Sequence, residues 1–477
     1  MKKSYTDSFF DVGSKYGFLP NNHPLTSLPN RYNSLQRLLD NMPVKLSDGS
    51  NGYLAIPNKI ENEVERLPNY IDLVKKESEI LIIQALYRAY CFLTSAYTLE
   101  LSYQEFVKTK KYGKARQILP KQVAQPFVCV AEKLDVYPWL DYHYAYSLGN
   151  YRFLDKSKGF HWSNLDQCVK FSGTSDESGF IMNHVDINQH SPKLVESVLE
   201  SLKAIKDNDQ EKLNENLKQN FHSMVFVNDR RKDMWVASRW KHYNDFRIFI
   251  MGIKGNNEIF DDGLVYQGVW DEPKQYRGQT GAQDNIIPME DIFSGVINFY
   301  PDNQLTKYLL DLRKYRPKCI QNFFVDLKQD IDSIHGGSIF NFLKSSQNSV
   351  GMCYLLAIVE EIYKFRNGHW QFVQKYIMSN TKYAKATGGT PIISWIPNQI
   401  KSVLNFIEVI LHELQSMDKD FDNKQNEFFI NSLNTYKSKR KLLDKQLIVV
   451  SDANYNPGKV FELNKKFKLE DSNFEKK

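Results

Sequence analysis

The sequence predicts a mainly α-helical protein, and two segments carry this prediction. Over residues 349–379, apolar side chains recur at spacings of three and four, which places them on one face of a long helix. Residues 397–414 repeat this pattern after Pro397, a residue suited to the first turn of a helix. In the tail, residues 447–450 and 459–463 are expected to pair as short strands.

Composition limits the class of protein. The chain has 477 residues, of which 42% are apolar and 13% aromatic, so it can bury a large core and is not mainly disordered. Its net charge of +6 is mild, and residues 418–477 supply half of this excess, with 13 Lys and Arg against 10 Asp and Glu. A nucleic-acid interface needs a denser patch of one sign, so we expect no nucleic-acid partner.

Membrane and secretion signals are not expected either. Two lysines follow Met1 without the apolar core of a secretory signal, and apolar stretches such as 354–359 fall short of the ~18 residues of a membrane helix. The five cysteines are widely spaced and form no CxxC pair. This usage is typical of a reducing compartment, so we expect a cytoplasmic protein with no membrane partner.

The first predicted elements follow in chain order. Residues 1–60 are rich in Asn, Pro, Ser and Gly, which indicates an extended arm, and residues 81–101 have helical periodicity. Pro120 and Pro126 bracket an expected short connector. An amphipathic segment follows over residues 139–153.

The middle of the chain alternates helical and irregular segments. Residues 191–205 form the next predicted helix, whereas 246–253 fits either a helix or a strand. Residues 256–285 are Gly-rich and polar, and an irregular stretch of this length in a compact protein is usually functional. Helical patterning returns near Asp291 and over 305–315.

These elements divide the chain into three expected parts. Residues 1–115 form a loop-rich and small helical N-terminal domain, and residues 116–417 form a large helical domain. Residues 418–477 form a Lys-rich C-terminal extension with a helix near 424–443.

His369 is the first candidate functional residue. It lies on the apolar stripe of the 349–379 helix, between Phe365 and Phe372, where it is either a core histidine or an axial ligand of haem iron. Arg366, one turn earlier, can meet an anionic group at the rim of whatever His369 binds, although helix-rim ion pairs are also common.

Three further features admit a binding role. The loop 386–390 can close over an anion or an amino-acid head group, or it is an ordinary turn. Arg247 interrupts an apolar run and needs a carboxylate or phosphate partner, either a substrate or a structural one. His184, His190 and Asp186 outline a weak metal site whose spacing fits no standard zinc pattern.

Three sequence blocks carry a resemblance to a known family. They are residues 246–257 with 262–274, residues 276–291, and residues 365–377 with 386–390. In order and spacing, over about 145 residues, they resemble the indoleamine 2,3-dioxygenase group of histidine-ligated haem enzymes. Residues 386–399 are closer to a bacterial and fungal branch that includes the ring-rearranging enzyme of pyrrolnitrin biosynthesis.

The resemblance implies a fold, a cofactor and residue roles. The implied fold is a large helical haem-binding domain with a smaller N-terminal domain capping the distal side, and the implied cofactor is haem b. The iron ligand is His369. Arg366 and Asp291 would lie beside a haem propionate, and Arg247 would bind the substrate carboxylate. Thr387 would contact the substrate head group, and Thr280 would lie on the distal side. Tyr142 and Phe180 would surround the indole.

Two departures from the group put the substrate in question. His184 stands where indoleamine dioxygenases carry a serine, and it resembles the distal histidine of tryptophan 2,3-dioxygenases, which bonds the indole N–H. It is therefore the catalytic candidate. His242 replaces an aromatic residue that contacts substrate, and it is a substrate-binding candidate.

The resemblance implies a haem-dependent dioxygenase that inserts O2 across the indole C2–C3 bond of L-tryptophan or a related aromatic amino acid. Its partners would be this small molecule and O2, and the protein would be a monomer or homodimer. One alternative is a monooxygenase or ring-rearranging enzyme acting on a modified tryptophan. Another is a non-catalytic haem or ligand sensor with the tail as a partner-binding module.

Overall fold

The computed structural model describes residues 4–302, 304–378, 386–387 and 392–451, and it is 64% helical, which confirms the predicted mainly α fold. The helices of the first half are α1 Asn33–Asn41, α2 Lys59–Glu65, α3 Ile71–Lys76, α4 Ile80–Thr109, α5 Lys121–Lys133, α6 Ser175–Asn188, α7 Ser191–Lys206, α8 Gln210–Lys232, α9 Met234–Ala237 and α10 Asn244–Arg247.

The second half of the chain contributes eight α-helices among the described residues. They are α11 Asn257–Phe260, α12 Ile286–Ser294, α13 Gln304–Leu312, α14 Lys318–Asp332, α15 Ile339–Ser345, α16 Ser349–Phe372, α17 Ile392–Ser416 and α18 Asn423–Ser451. Helix α16 packs against α8 and α17, and α8 in turn packs against α7. A π-helical turn, Val373–Met378, continues α16.

Two small sheets lie at the edge of this helical body. Strand β1 (Ile118–Leu119) pairs in parallel with β4 (Val265–Tyr266), and β2 (Tyr151–Phe153) pairs antiparallel with β3 (Leu165–Gln167). The first pair ties the segment before α5 to the irregular stretch that follows α11.

Helix α4 is the central helix of the N-terminal part. By length and composition it can cross a membrane, and its most apolar window has a mean hydropathy of 1.2. However, 89% of that window is buried within the protein, as in the core helix of a soluble fold. Its apolar residues are interleaved with polar ones such as Gln84, Arg88 and Thr94, which is why no long apolar run is visible in the sequence.

Several local predictions were wrong. The segment expected as one amphipathic helix over 139–153 instead forms a π-helical turn, Tyr142–Tyr146, and then strand β2, because the Asp141 carboxylate accepts backbone N–H groups and caps the short turn. Pro126, expected at the end of a connector, lies inside α5. The helix continues through it because the neighbouring Val123, Ala124 and Phe127 are buried in the core.

Helix ends also differ from prediction. Pro397 lies inside α17, which begins at Ile392. Residues 447–450, expected as a strand, belong to α18, because burial of Leu442, Leu443 and Gln446 extends that helix. The partner strand predicted at 459–463 lies outside the described residues.

The N-terminal arm packs on the helical body. The Tyr5 hydroxyl donates to Asp326 at 2.9 Å, and the Phe18 ring stacks on Phe324 of α14. None of the described residues of 1–115 lines the cavity described below, and the Tyr112 hydroxyl contacts Arg247, which lies outside this lining. The division of the chain at residues 115 and 417 stays a prediction.

Candidate functional site

A largely apolar cavity of about 260 Å³ opens between α6, α16 and the irregular segment before α12. Seven of the ten residues predicted from the sequence to be in the site line this cavity. They are Phe180, His184, Thr280, Asp291, Arg366, His369 and Thr387.

His369 presents its imidazole to this cavity. More than a third of the surface of this residue is accessible. The protein around the imidazole nevertheless removes most of its solvation, and this lowers its pKa to about 4, with help from the nearby Arg231 and His184. Among the described residues it has no hydrogen-bond partner. A neutral imidazole with an available lone pair is therefore held at the cavity wall.

Arg366 and Asp291 form a buried network at the same wall. Arg366 Nη2 donates to Asp291 Oδ2 at 2.5 Å and to the Tyr300 hydroxyl at 2.8 Å, and that hydroxyl donates to the same carboxylate oxygen. Arg366 Nη1 donates to the backbone oxygen of Gln399 at 3.1 Å. Burial raises the pKa of Asp291, and Arg366 opposes this shift. The network fixes a cation one helical turn from His369.

Glu290, the residue before Asp291, is a second buried carboxyl group outside this network, and its protonation state can be tested by pH. Burial raises the pKa of Glu290 from 4.5 to about 8, and one of its carboxylate oxygens has no partner. The unfolded chain loses this proton near pH 4.5 and the folded chain only near pH 8, so the group reduces stability as pH rises between these values. Glu290→Gln should therefore gain stability over wild type across this range, by up to about 4 kcal/mol.

The measurement is the free energy of unfolding from denaturant titrations at several pH values between 4.5 and 8. Glu215→Gln, at an exposed site on α8, is the control and should follow wild type. If the free energy of unfolding of Glu290→Gln ran parallel to that of wild type over this pH range, the raised pKa of Glu290 would be contradicted.

His184 and Phe180 lie together on α6. His184 Nδ1 is 2.9 Å from the Phe180 backbone oxygen, and because a carbonyl only accepts, Nδ1 carries the proton. Burial lowers the pKa of His184, which favours the neutral ring. Nε2 is then an acceptor, and it lies 3.8 Å from the position that a Cβ would take on Gly281. Among the described residues Nε2 has no hydrogen-bond partner.

Tyr142 lies behind His184 rather than on the cavity wall. It is fully buried, and its ring meets the His184 ring edge-on with centroids 5.9 Å apart. Its hydroxyl donates to Asp284 Oδ2 at 2.7 Å, and Asn188 donates to the same oxygen at 2.7 Å. Asp284 lines the cavity, so this polar layer supports the His184 side of it.

Arg247 is fully buried on the short helix α10. It lies one turn from Tyr243 and from Ile250, and both of these line the cavity. Its Nη1 donates to the Tyr112 hydroxyl at 2.9 Å. Burial raises the pKa of Tyr243 to about 12, and the positive charge of Arg247 partly opposes this rise. The guanidinium is thus placed just behind the aromatic wall.

His242, a predicted substrate-binding residue, is not among the residues that line the cavity. Its side chain is 41% exposed, and its Nδ1 lies 3.0 Å from an Asp245 carboxylate oxygen. The following residue, Tyr243, takes the aromatic place on the wall instead. The four-residue spacing between Tyr243 and Arg247 is a helical signal in the sequence that places these two residues on one face.

Thr280 and Thr387 occupy neighbouring parts of the wall. The Thr280 side chain caps the short turn Gly281–Gln283, and the Thr387 hydroxyl donates to the Gln279 backbone oxygen at 2.7 Å. Chain segments cross closely here: a Cβ on Gly278 would lie 2.6 Å from the Thr387 oxygen, so a glycine is required. Residues 388–390 of the predicted loop lie outside the described residues.

The weak metal site drawn from His184, His190 and Asp186 does not assemble. Arg230 binds both carboxylate oxygens of Asp186, at 2.9 and 2.7 Å, and also pairs with Asp233. His190 instead stacks on Phe226. A fixed guanidinium already compensates these carboxylates, which fits a structural ion pair.

Two residues near His369 were not identified from the sequence. Tyr300 joins the Arg366 network from a turn nine residues after Asp291, and no local pattern indicates this. Arg231, 4% exposed on α8, has its guanidinium near the Phe372 ring. A Cβ on Gly368 would overlap this guanidinium at 1.9 Å, and Gly368 is the one visible signal.

A neutral histidine presented to an apolar cavity can ligate haem iron, and a buried arginine one turn away can meet an anionic group of the same cofactor. The chain matches the family described as Indoleamine 2,3-dioxygenase over residues 6–429. It therefore belongs to the indoleamine 2,3-dioxygenase family, whose members are haem-dependent dioxygenases that use O2. The resemblance stated from the sequence is confirmed.

Curated relatives come from mammals and fungi. Indoleamine 2,3-dioxygenase 1 of Rattus norvegicus is 24% identical over 407 residues, covering 81% of this chain and 92% of the rat protein. Indoleamine 2,3-dioxygenase nanC of Aspergillus nanangensis is 23% identical, covering 84% of this chain and 97% of the fungal one. The 6-hydroxytryptophan 2,3-dioxygenase fscD of Fusarium equiseti is 22% identical, covering 77% and 84%.

Proposed function

We propose that this protein is a haem-dependent dioxygenase that inserts both atoms of O2 across the indole C2–C3 bond of L-tryptophan or a close derivative. The observation that carries the proposal is the shared cavity of His369, Arg366 and His184, with Arg247 behind its aromatic wall. Family membership supports the reaction class, and the geometry supports the residue roles.

The residues present fit a haem. His369 offers an imidazole without a protein partner among the described residues, its low pKa keeps the ligating lone pair available, and the cavity beside it is mainly apolar. His369 would hold the iron, and Arg366, anchored by Asp291, would face a propionate. Bound there, haem b would supply the activation of O2.

The protein side chains would do the remaining work by placement. Arg247 would hold the substrate carboxylate through paired N–H donors, a geometry that lysine cannot supply. Phe180 and Tyr243 would flank the indole, and the apolar wall would exclude water. His184 Nε2 would accept the indole N–H, because Nδ1 is already used in the bond to Phe180.

The reaction is tested by product analysis. Haem-loaded, reduced protein should convert L-tryptophan under labelled O2 to a ring-opened product that carries two labelled oxygen atoms. Incorporation of one labelled atom would instead favour the monooxygenase or ring-rearranging alternative. No O2 consumption with any indole or aromatic amino acid would favour the haem sensor.

The role of His184 is tested by comparing L-tryptophan with 1-methyl-L-tryptophan, which lacks the indole N–H. His184→Ala should lower kcat/KM for L-tryptophan by about 10- to 100-fold, because one buried hydrogen bond is lost. The same change should affect the methylated substrate much less. An equal loss for both substrates would show that His184 does not bond the N–H.

A further inference from the structure

Helix α18 extends beyond the part of the chain that matches the family. The match ends at residue 429, whereas α18 runs from Asn423 to Ser451. Its inner face is well packed: Leu442 and Leu443 are 3% exposed and Gln446 is 1% exposed. This helix packs against α17 and α16, so the extension is part of the folded body.

Polar contacts tie α18 to both neighbouring helices. On the α17 side, Tyr436 and Arg440 both donate to Glu408, at 2.8 and 3.0 Å. On the α16 side, Lys439 donates to the buried Glu360 at 2.7 Å. Glu360 is only 2% exposed, so this ion pair fixes the register between the two helices.

The contact nearest the site joins Gln446 to Trp370, the residue after His369. Trp370 is fully buried, and its indole N–H donates to Gln446 Oε1 at 3.1 Å. A buried indole N–H needs such an acceptor. From the Glu360 contact to this one, both helices advance in the same direction, so α18 runs alongside α16 toward His369.

His369 occupies the last regular turn of α16. The α-helix ends at Phe372 and becomes the π-helical turn Val373–Met378. Two residues beyond Trp370 the helix therefore changes pitch, so the regular α-helical ladder does not continue far past the turn of His369. A bond from Trp370 to another helix limits rotation of this turn about the helix axis, and the direction of the His369 side chain follows from that rotation.

We propose that Gln446 is a positioning residue for the iron ligand: through Trp370, the C-terminal helix sets the orientation of the His369 imidazole. The inference rests on the proposed role of His369 in haem binding. It assigns the extension a function within the site, namely to hold the proximal ligand in the orientation that retains haem. Outer-shell partners of metal ligands commonly affect metal affinity by about 10- to 100-fold.

The test uses the full-length, haem-loaded protein with two variants, one from each side of the bond. Gln446→Met keeps the length of the side chain and removes the acceptor, and Trp370→Phe keeps an aromatic ring and removes the donor. Two readouts report on the ligand: the iron–histidine stretching band of the ferrous protein by resonance Raman, and the rate of haem transfer to apomyoglobin.

Both variants should shift or broaden the iron–histidine band and speed haem transfer by about tenfold. The double variant should be little worse than either single one, because both remove the same bond. The control is Arg440→Ala, on the same helix, which breaks the contact with Glu408 of α17 and leaves Gln446 and Trp370 in place. Its band should match that of wild type.

Each other outcome is decisive. A wild-type protein without an iron–histidine band would overturn the proposed ligand and this inference together. A wild-type band that persists unchanged in both variants, even with reduced thermal stability, would overturn only the inference and leave α18 with a structural role. If one variant does not fold, as judged by circular dichroism, the other decides from its own side of the bond.

Discussion

His369→Gly is expected to abolish the sharp Soret band that wild-type protein forms with haemin. His369 is the cavity residue whose imidazole is neutral, accessible and without a hydrogen-bond partner among the described residues. Loss of the axial ligand should weaken haem binding by more than about 100-fold, since even partners of metal ligands cost 10- to 100-fold. Absorption titration with haemin measures this change.

Imidazole added to His369→Gly provides the control. The small ligand can enter the space left by the side chain, and it should restore much of the band, whereas wild type should respond little. A variant that keeps the wild-type spectrum without imidazole would show that another residue binds the iron. His184→Ala serves as the matched histidine removal, and its Soret band should remain.

Arg247→Ala is expected to raise KM for L-tryptophan strongly. Truncating one partner of a buried charge pair costs about 2–5 kcal/mol, which corresponds to a fall in kcat/KM of about 30- to several thousand-fold. Arg247 is fully buried one helical turn from Tyr243 and Ile250 of the cavity wall, so no water replaces its donors cheaply. Steady-state kinetics of the haem-loaded enzyme measures the effect.

A substrate without the carboxylate makes this prediction specific. Tryptamine should be a poor substrate for wild type and should lose little further activity in Arg247→Ala. Arg247→Lys should be intermediate, since it keeps the charge and loses the paired donor geometry. Tyr112→Phe removes the hydroxyl that accepts from Arg247, and it should have a smaller effect than Arg247→Ala. Unchanged kinetics in Arg247→Ala would remove this residue from the substrate site.

The sequence was most informative where one helix carries several functional residues. The apolar stripe of α16 and the position of His369 on it were predictable, because helical periodicity is a local property. Arg366 followed from its one-turn spacing to His369. By the same logic Tyr243 was available from its spacing to Arg247, but the aligned position pointed to the neighbouring His242 instead.

The sequence was least informative where a residue depends on a distant partner. The Asp141 cap, which makes residues 142–146 a tight π-helical turn, and the Tyr300 hydroxyl that joins Asp291 are tertiary or loop contacts without a periodic signal. The tail is similar. Its helix was predicted near 424–443, whereas the structure continues it to Ser451, where Leu442, Leu443 and Gln446 are buried against distant parts of the chain.

The sequence by itself therefore determined the helical class and the family, and it marked His369, Arg366 and Arg247 as candidate site residues, because these depend on spacing along single helices and on motif order. Tertiary structure alone decided which of these side chains share a cavity, which tautomer His184 adopts and that the C-terminal helix reaches the turn of His369. The physical reason is that burial and hydrogen-bond partners arise between elements far apart in the chain, and local periodicity carries no record of them.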